Sequence, residues 1–187
     1  MSQLTRRAFT LSALAAVPAV AACSGNGYGN NGAATIDARV DATLAQMYSD
    51  YPQTRDLAAK SAGMLVMPLL TEAGLGLGGG YGRGALRVGG ATVDYYSATR
   101  ASAGLQIGAQ QYAHVLFFMT EDALQDFRIN DGWAAAADAD IVFNNLGENL
   151  RAETTTSMAP VVAVIFAQAG LRVGATIEGL KYSRIIP

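Results

Sequence analysis

The chain has 187 residues, 51% of them apolar, with 15 acidic residues against 13 basic ones and a formal net charge of −2. That length allows one domain with a sizeable core and is short for two. The composition argues against a disordered chain, and the scarcity of basic residues argues against a nucleic-acid partner, since no basic run occurs beyond Arg6-Arg7.

The first residues, MSQLTRRAFTLSALAAVPAVAAC, read as a charged region, a short apolar stretch and a small-residue cleavage region. Leu11 to Ala22 is too short and too rich in Ala and Pro to span a bilayer comfortably. Thr5 to Leu11 resembles a twin-arginine export signal. Val20-Ala21-Ala22-Cys23 resembles a bacterial lipobox, whose cysteine is lipidated and becomes the mature N-terminus. The expected organisation is therefore a signal peptide over residues 1–22, a lipidated Cys23 opening a tether over 23–34, and a domain over 35–187. Cys23 is the sole cysteine, so no internal disulfide is available to it. The alternative is a signal peptide cut nearby, with an incidental free thiol. Without Arg6 and Arg7, 11 basic residues face 15 acidic ones, a formal charge of −4. The acyl anchor, not global charge, would then hold the protein to a bacterial membrane. Ser24 after Cys23, in place of Asp, favours the periplasmic face of the outer membrane. The Gly/Asn-rich stretch Ser24 to Ala34 reads as a flexible tether with a reach of about 15–20 Å.

From Ile36 the pattern turns helical: Ile36, Val40, Leu44 and Met47 recur at helical spacing as far as Asp50. Pro52 ends this helix or opens a short second one through Leu57 to Lys60. Gly63 to Pro68 is a brief apolar run of buried-strand length. Gly89-Gly90 signals a hairpin between Gly78–Val88 and Ala91–Ser97, and a further strand runs from Ala103 to Met119. Thr120 caps a helix with Leu124 and Phe127 facing inward, closed by Asp131-Gly132. A strand follows at Asp140 to Phe143. The last expectation is a hairpin of Val161–Phe166 and Leu171–Ile186, turning at Gln168-Ala169-Gly170.

GLGLGGGYGRGAL, Gly74 to Leu86, contains a formal G-x-G-x-x-G. A dinucleotide fingerprint needs those glycines between a strand and a helix whose N-terminus receives the pyrophosphate. Here Tyr81 to Val88 alternates like a strand, so the nucleotide reading fails. In an extended strand Gly74, Gly76, Gly78, Gly80, Gly82 and Gly84 share one face, and Leu75, Leu77, Tyr81, Arg83, Ala85 and Arg87 the other. A bare glycine face weakens a strand unless something packs closely on it.

Gly79 to Leu86 resembles the glycine signature of the SYLF-domain family of lipid-binding proteins. The resemblance extends to Gly63–Pro68, Tyr95-Tyr96-Ser97, Gly104–Gln110, Phe118–Glu121 and Phe166-x-Gln168-x-Gly170-Leu171, with Gly174, Gly179 and Lys181. It covers about Ile36 to Ile185. It implies binding to membrane phospholipid, described mainly for eukaryotic members that recognise phosphoinositides and join actin-regulating assemblies. The family's lipid binding is associated with a basic amphipathic N-terminal helix. Here that helix carries Asp37, Asp41 and Asp50 against Arg39 alone. An exported bacterial protein would meet other phospholipids.

Enzymatic constellations are thin. His114 is the only histidine and shares strand parity with Tyr112, Leu116 and Phe118, which suits a core residue better than a catalytic base. No Cys/His dyad, Cys-His metal set or G-x-S-x-G elbow can be assembled. The carboxylate pairs Glu121/Asp122 and Asp138/Asp140 border secondary structure and need no acid–base role. A non-enzymatic protein without cofactor or metal is expected. The candidate headgroup contacts are Tyr81, Arg83 and Arg87 on one strand face, Arg100 after the next strand, and Lys181 and Arg184 near the C-terminus. Arginine forks onto phosphate oxygens, and a neighbouring aromatic completes such a site. A solvated hairpin face is the alternative for these residues. Trp133 suits either a membrane interface or the core. The fold expected is a β-rich α+β domain, an antiparallel, barrel-like or sandwiched sheet with an N-terminal helix and one or two short helices. The function expected is a lipid-anchored envelope protein that binds phospholipid or a similar amphiphile. The alternative is a structural or protein-interaction lipoprotein without lipid specificity.

Overall fold

The computed structural model describes residues 31–135, 141–145, 159–170 and 177–187. The segment read as a signal peptide, Cys23 and the Asp138/Asp140 pair lie outside the described residues.

Helix α1 (Asn31–Asp50) buries Ile36, Val40 and Met47, the stripe its spacing requires. It begins at Asn31, within the stretch read as a tether. Its alanines favour helix strongly enough to extend it past the first apolar position. Helix α2 (Thr54–Lys60) follows Pro52, with the Thr54 hydroxyl donating to the Tyr51 carbonyl at 2.7 Å.

The next two elements are long strands, β1 (Gly63–Val88) and β2 (Ala91–Phe118), paired antiparallel along their whole length as one ribbon. The separate strands expected from sequence are pieces of this ribbon. Their breaks coincide with register shifts at Met67/Leu70 and Leu75/Leu77, which bend the ladder without ending it. The turn is the expected Gly89-Gly90, with φ of 58° and 84°, a pair of positive angles that glycine adopts freely.

The ribbon doubles back on itself. Gly82 and Gly84 lie against the backbone of the first half of β1: a Cβ on Gly82 would stand 2.6 Å from the Leu69 carbonyl oxygen, and one on Gly84 would overlap that of Val66. The bare glycine face is thus where the two halves of one strand touch. Such a contact is closed to any residue with a side chain.

Helix α3 (Glu121–Ile129) is capped by Thr120, whose hydroxyl accepts from the Ala123 N–H at 3.2 Å. Leu124 and Phe127 are buried. Strands β3 (Ile141–Asn145), β4 (Val161–Gly170) and β5 (Lys181–Ile185) complete the sheet. β4 pairs with β2 over Gln110–Phe118, and β5 with β2 over Tyr95–Thr99. This corrects the C-terminal hairpin. Ala169 and Gly170 do not form a turn but pair with Gln111 and Gln110, and β5 joins the other half of the ribbon. Cross-strand pairing with β2 overrides the local glycine signal. β3 runs parallel to β4, so one pair departs from the antiparallel rule.

The result is a β-rich α+β fold whose sheet is folded over on itself. Its strand order is β1-β2-β4-β3, with β5 on β2, and no pairing among the described residues closes it into a barrel. Alternation along the strands divides the core in two. Leu65, Met67, Leu116, Phe118, Val161, Ala163 and Ile165 face the folded-over half and α3. Val66, Val115, Phe117, Val162, Val164 and Phe166 face α1 and α2. With both faces covered, β4 has no polar position from Val161 to Phe166, which explains its unbroken apolar run. Trp133 is 2% exposed and stacks edge-on against Phe127 and Phe118, so it is a core residue.

Candidate functional site

The even residues at the bend of β1 point into the fold-back. Leu70 is fully buried, and Glu72 is tied into a polar cluster. Its carboxylate accepts from the Gln110 amide at 2.6 Å, the Tyr112 hydroxyl at 2.8 Å and the Arg100 guanidinium at 3.2 Å. Gly80 leaves the room, since a Cβ there would stand 2.9 Å from the Glu72 side chain. Nearby, His114 is fully buried with Nε2 2.8 Å from the Tyr182 hydroxyl. Burial lowers its pKa to about 3, so the ring is neutral, and it presents no nitrogen to solvent.

The candidate cations separate by partner. Arg87 reaches α1, with Nη2 2.6 Å from Asp41 and 3.8 Å from Asp37. Asp37 in turn accepts from Thr92 and Tyr95 at 2.7 and 2.8 Å. Arg100 is committed to Glu72. Arg184 lies 3.5 Å from Asp94 and donates to the Arg128 carbonyl. Lys181 is exposed and lies over Gly132, on β5. These four do not converge on one site.

Tyr81 and Arg83 do share one. Leu69 and Thr71 on one side of the bend and Tyr81 and Arg83 on the other are exposed, and α1 crosses beside them. Together they form a groove of about 510 Å³, whose walls include Thr35 and Arg39 of α1, Leu69 and Thr71 of the first half of β1, and Tyr81 and Arg83 of the second. Volumes of this order accommodate small-molecule or headgroup-sized ligands. Tyr81 is 54% exposed and Leu69 44%, although both are large apolar bodies. Arg39 and Arg83 make no ion pair among the described residues, in contrast to Arg87, Arg100 and Arg184. Two guanidiniums, threonine hydroxyls, a phenol and an exposed leucine around one groove can hold a group with an anionic head and an apolar body.

Arg39 and Leu69 were not among the sequence-derived candidates. Arg39 follows Ile36 by three residues, so it flanks the helix stripe that docks on the sheet. That is the available signal for its position, but the strand it meets is thirty residues away. Among the described residues no group of three His, Cys, Asp or Glu could hold a metal.

Residues 99–184 match the family described as Ysc84: Las17-binding protein actin regulator. This segment is similar to that family, in agreement with the SYLF resemblance of the sequence. The SYLF match begins within β2 and ends within β5, so it contains Arg100, Lys181 and Arg184 but not the groove. No curated protein matches the chain in direct comparison.

Proposed function

We propose that this chain is a lipid-anchored protein of the bacterial envelope, held by acylated Cys23, whose SYLF domain binds phospholipid or a similar amphiphile without catalysing a reaction. The observation that carries the reading is the groove that gathers Arg39 and Arg83, which have no ion pair among the described residues, beside Tyr81 and Leu69. Phosphate forks onto such guanidiniums, and the apolar residues suit the start of an acyl or glycerol body. The family match supports it at the level of lipid or protein binding. Export through the twin-arginine-like segment and residence on the periplasmic face of the outer membrane belong to the same proposal.

The test uses the full-length chain carrying Cys23→Ser, so that no acyl anchor forms, and co-sedimentation with vesicles. Phosphatidylcholine vesicles with and without phosphatidylglycerol are compared. Binding should rise with phosphatidylglycerol, and Arg39→Ala with Arg83→Ala should weaken it about tenfold or more, at ~1 kcal/mol per basic residue near an anionic surface. Any contribution of the N-terminal segment is common to all variants. Equal binding by parent and variant would favour a second reading, a structural or protein-interaction lipoprotein. The description of the matched family as a Las17-binding protein is what supports that alternative.

A further inference from the structure

The chain reverses direction between Gly74 and Gly78, close enough that a Cβ on Gly74 would stand 2.9 Å from the Gly78 Cα. Leu77, at this reversal, is 77% exposed. From it the outward face of β1 reads Leu77, Gly79, Tyr81, Arg83. Neighbours on one face are separated by roughly 6.6–6.8 Å, so Leu77 lies about 13 Å from Tyr81 and about 20 Å from Arg83 along the strand. The order is apolar, amphipathic, cationic. A bilayer presents the matching sequence from its acyl chains through its interface to its phosphates.

Charge is distributed the same way. Between Ala73 and Thr120 the only acidic residue is Asp94, near the hairpin turn and held by Arg128 and Arg184. Glu72 is buried and engaged. Among the described residues the exposed carboxylates, Asp41, Asp126 and Asp131 among them, lie on the helices and at the end of α3, apart from Glu178 just before β5. Among the described residues, no exposed carboxylate of β1 or β2 lies at the reversal, which favours its approach to an anionic surface. Helix α1 offers no competing apolar face. Ile36, Val40 and Met47 are buried against the sheet, and the exposed positions are Ala38, Arg39, Asp41, Ala42 and their like.

We infer that the reversal of the β1–β2 ribbon is the element that enters a phospholipid surface, with Leu77 leading into the acyl region, Tyr81 at the interface, and Arg83 with Arg39 at the phosphates, while α1 stays docked. The inference rests on the lipid-binding reading above and adds the inserting element and the orientation.

Cys23 is the only cysteine, so a label can be placed uniquely in the Cys23→Ser background. Full-length protein carrying Leu77→Cys, labelled with an environment-sensitive fluorophore, is mixed with phosphatidylcholine/phosphatidylglycerol vesicles. A second protein carries the label at Ile129→Cys, which is 74% exposed at the end of α3. Emission from position 77 should shift to shorter wavelength, rise severalfold, and be quenched by acyl-brominated lipid, while position 129 stays unchanged. Leu77→Asp, at an exposed position the fold does not depend on, should cut vesicle affinity about tenfold. Sedimentation with vesicles while position 77 stays silent, or while position 129 responds in its place, would overturn the insertion and leave lipid binding standing. Absence of sedimentation for the parent chain would remove the lipid-binding reading itself. A response at position 77 that grows with protein concentration without vesicles would assign the patch to a second copy and overturn the inference.

Discussion

Glu72 and His114 illustrate how polar residues are kept inside this fold. Glu72 is 5% exposed yet accepts from three side chains, one of them a guanidinium, so its charge is compensated where water is excluded. His114 is treated differently. It faces a tyrosine hydroxyl and is held neutral, with a pKa near 3 because of burial. An unfolded imidazole titrates at about 6.5. Between those values the unfolded chain binds a proton that the folded chain does not, so stability falls as pH drops below about 6.5. The slope is about 1.4 kcal/mol per pH unit, and the loss is complete near pH 3. His114→Gln keeps a polar partner for Tyr182 and removes the titration. Urea midpoints from pH 7 to pH 5 should therefore fall more steeply for the parent than for the variant, and equal slopes would contradict a neutral buried ring. The parity of His114 with Tyr112 and Leu116 was readable in the sequence. Its partner Tyr182, 68 positions away, was not.

At the scale of elements the ribbon is the defining feature, and its glycines have unequal roles. Gly84 touches the backbone of Val66, whereas a Cβ on Gly79 would stand an ordinary 3.5 Å from the Arg100 carbonyl oxygen. Gly84→Val should destabilise the domain by about 3 kcal/mol or more, or prevent folding, because the obstacle is backbone and cannot rotate away. Gly79→Ala should change stability by no more than about 0.5–1 kcal/mol. Thermal unfolding of the two variants measures the contrast; similar losses would mean that the glycine face does not hold the fold-back. The alternation Gly80, Gly82, Gly84 was legible from spacing alone. What it packs against was not, because the contact is with the same strand some eight to eighteen residues earlier. Pairing by β4 was misjudged for a related reason. Gly170 is a sound local turn signal, but Gln110 and Gln111 supply a cross-strand ladder that keeps the chain extended.

For the whole molecule, the SYLF match and the folding unit have different boundaries. Residues 99–184 include β4 and most of β2 and β5, but β1 is the partner of β2 along its whole length. In addition, α1 covers Val115, Phe117, Val162 and Val164. Expressed alone, residues 99–184 should show no cooperative unfolding transition, whereas the full chain should, as circular dichroism on heating would reveal. A cooperative transition from the fragment would mean that β1 and α1 are accessories. Among the described residues, the reversal end of β1 and β2 carries no exposed carboxylate while the helices carry several, a polarity that suits the proposed approach to an anionic surface.

The sequence by itself determined the local grammar: a helical stripe from Ile36, a two-glycine turn at Gly89, a threonine cap at Thr120, and strand faces sorted by parity. These depend on neighbours within a few residues, through backbone angles, capping and side-chain period. The tertiary structure decided which charges remain available. Arg87 and Arg83 are chemically alike and share one strand face. Yet Arg87 meets Asp41, 46 positions away, while Arg83 opens into a groove with Arg39. A charge is cancelled by whatever lies a few ångströms from it, and that distance is set by how the ribbon folds back and where α1 crosses it.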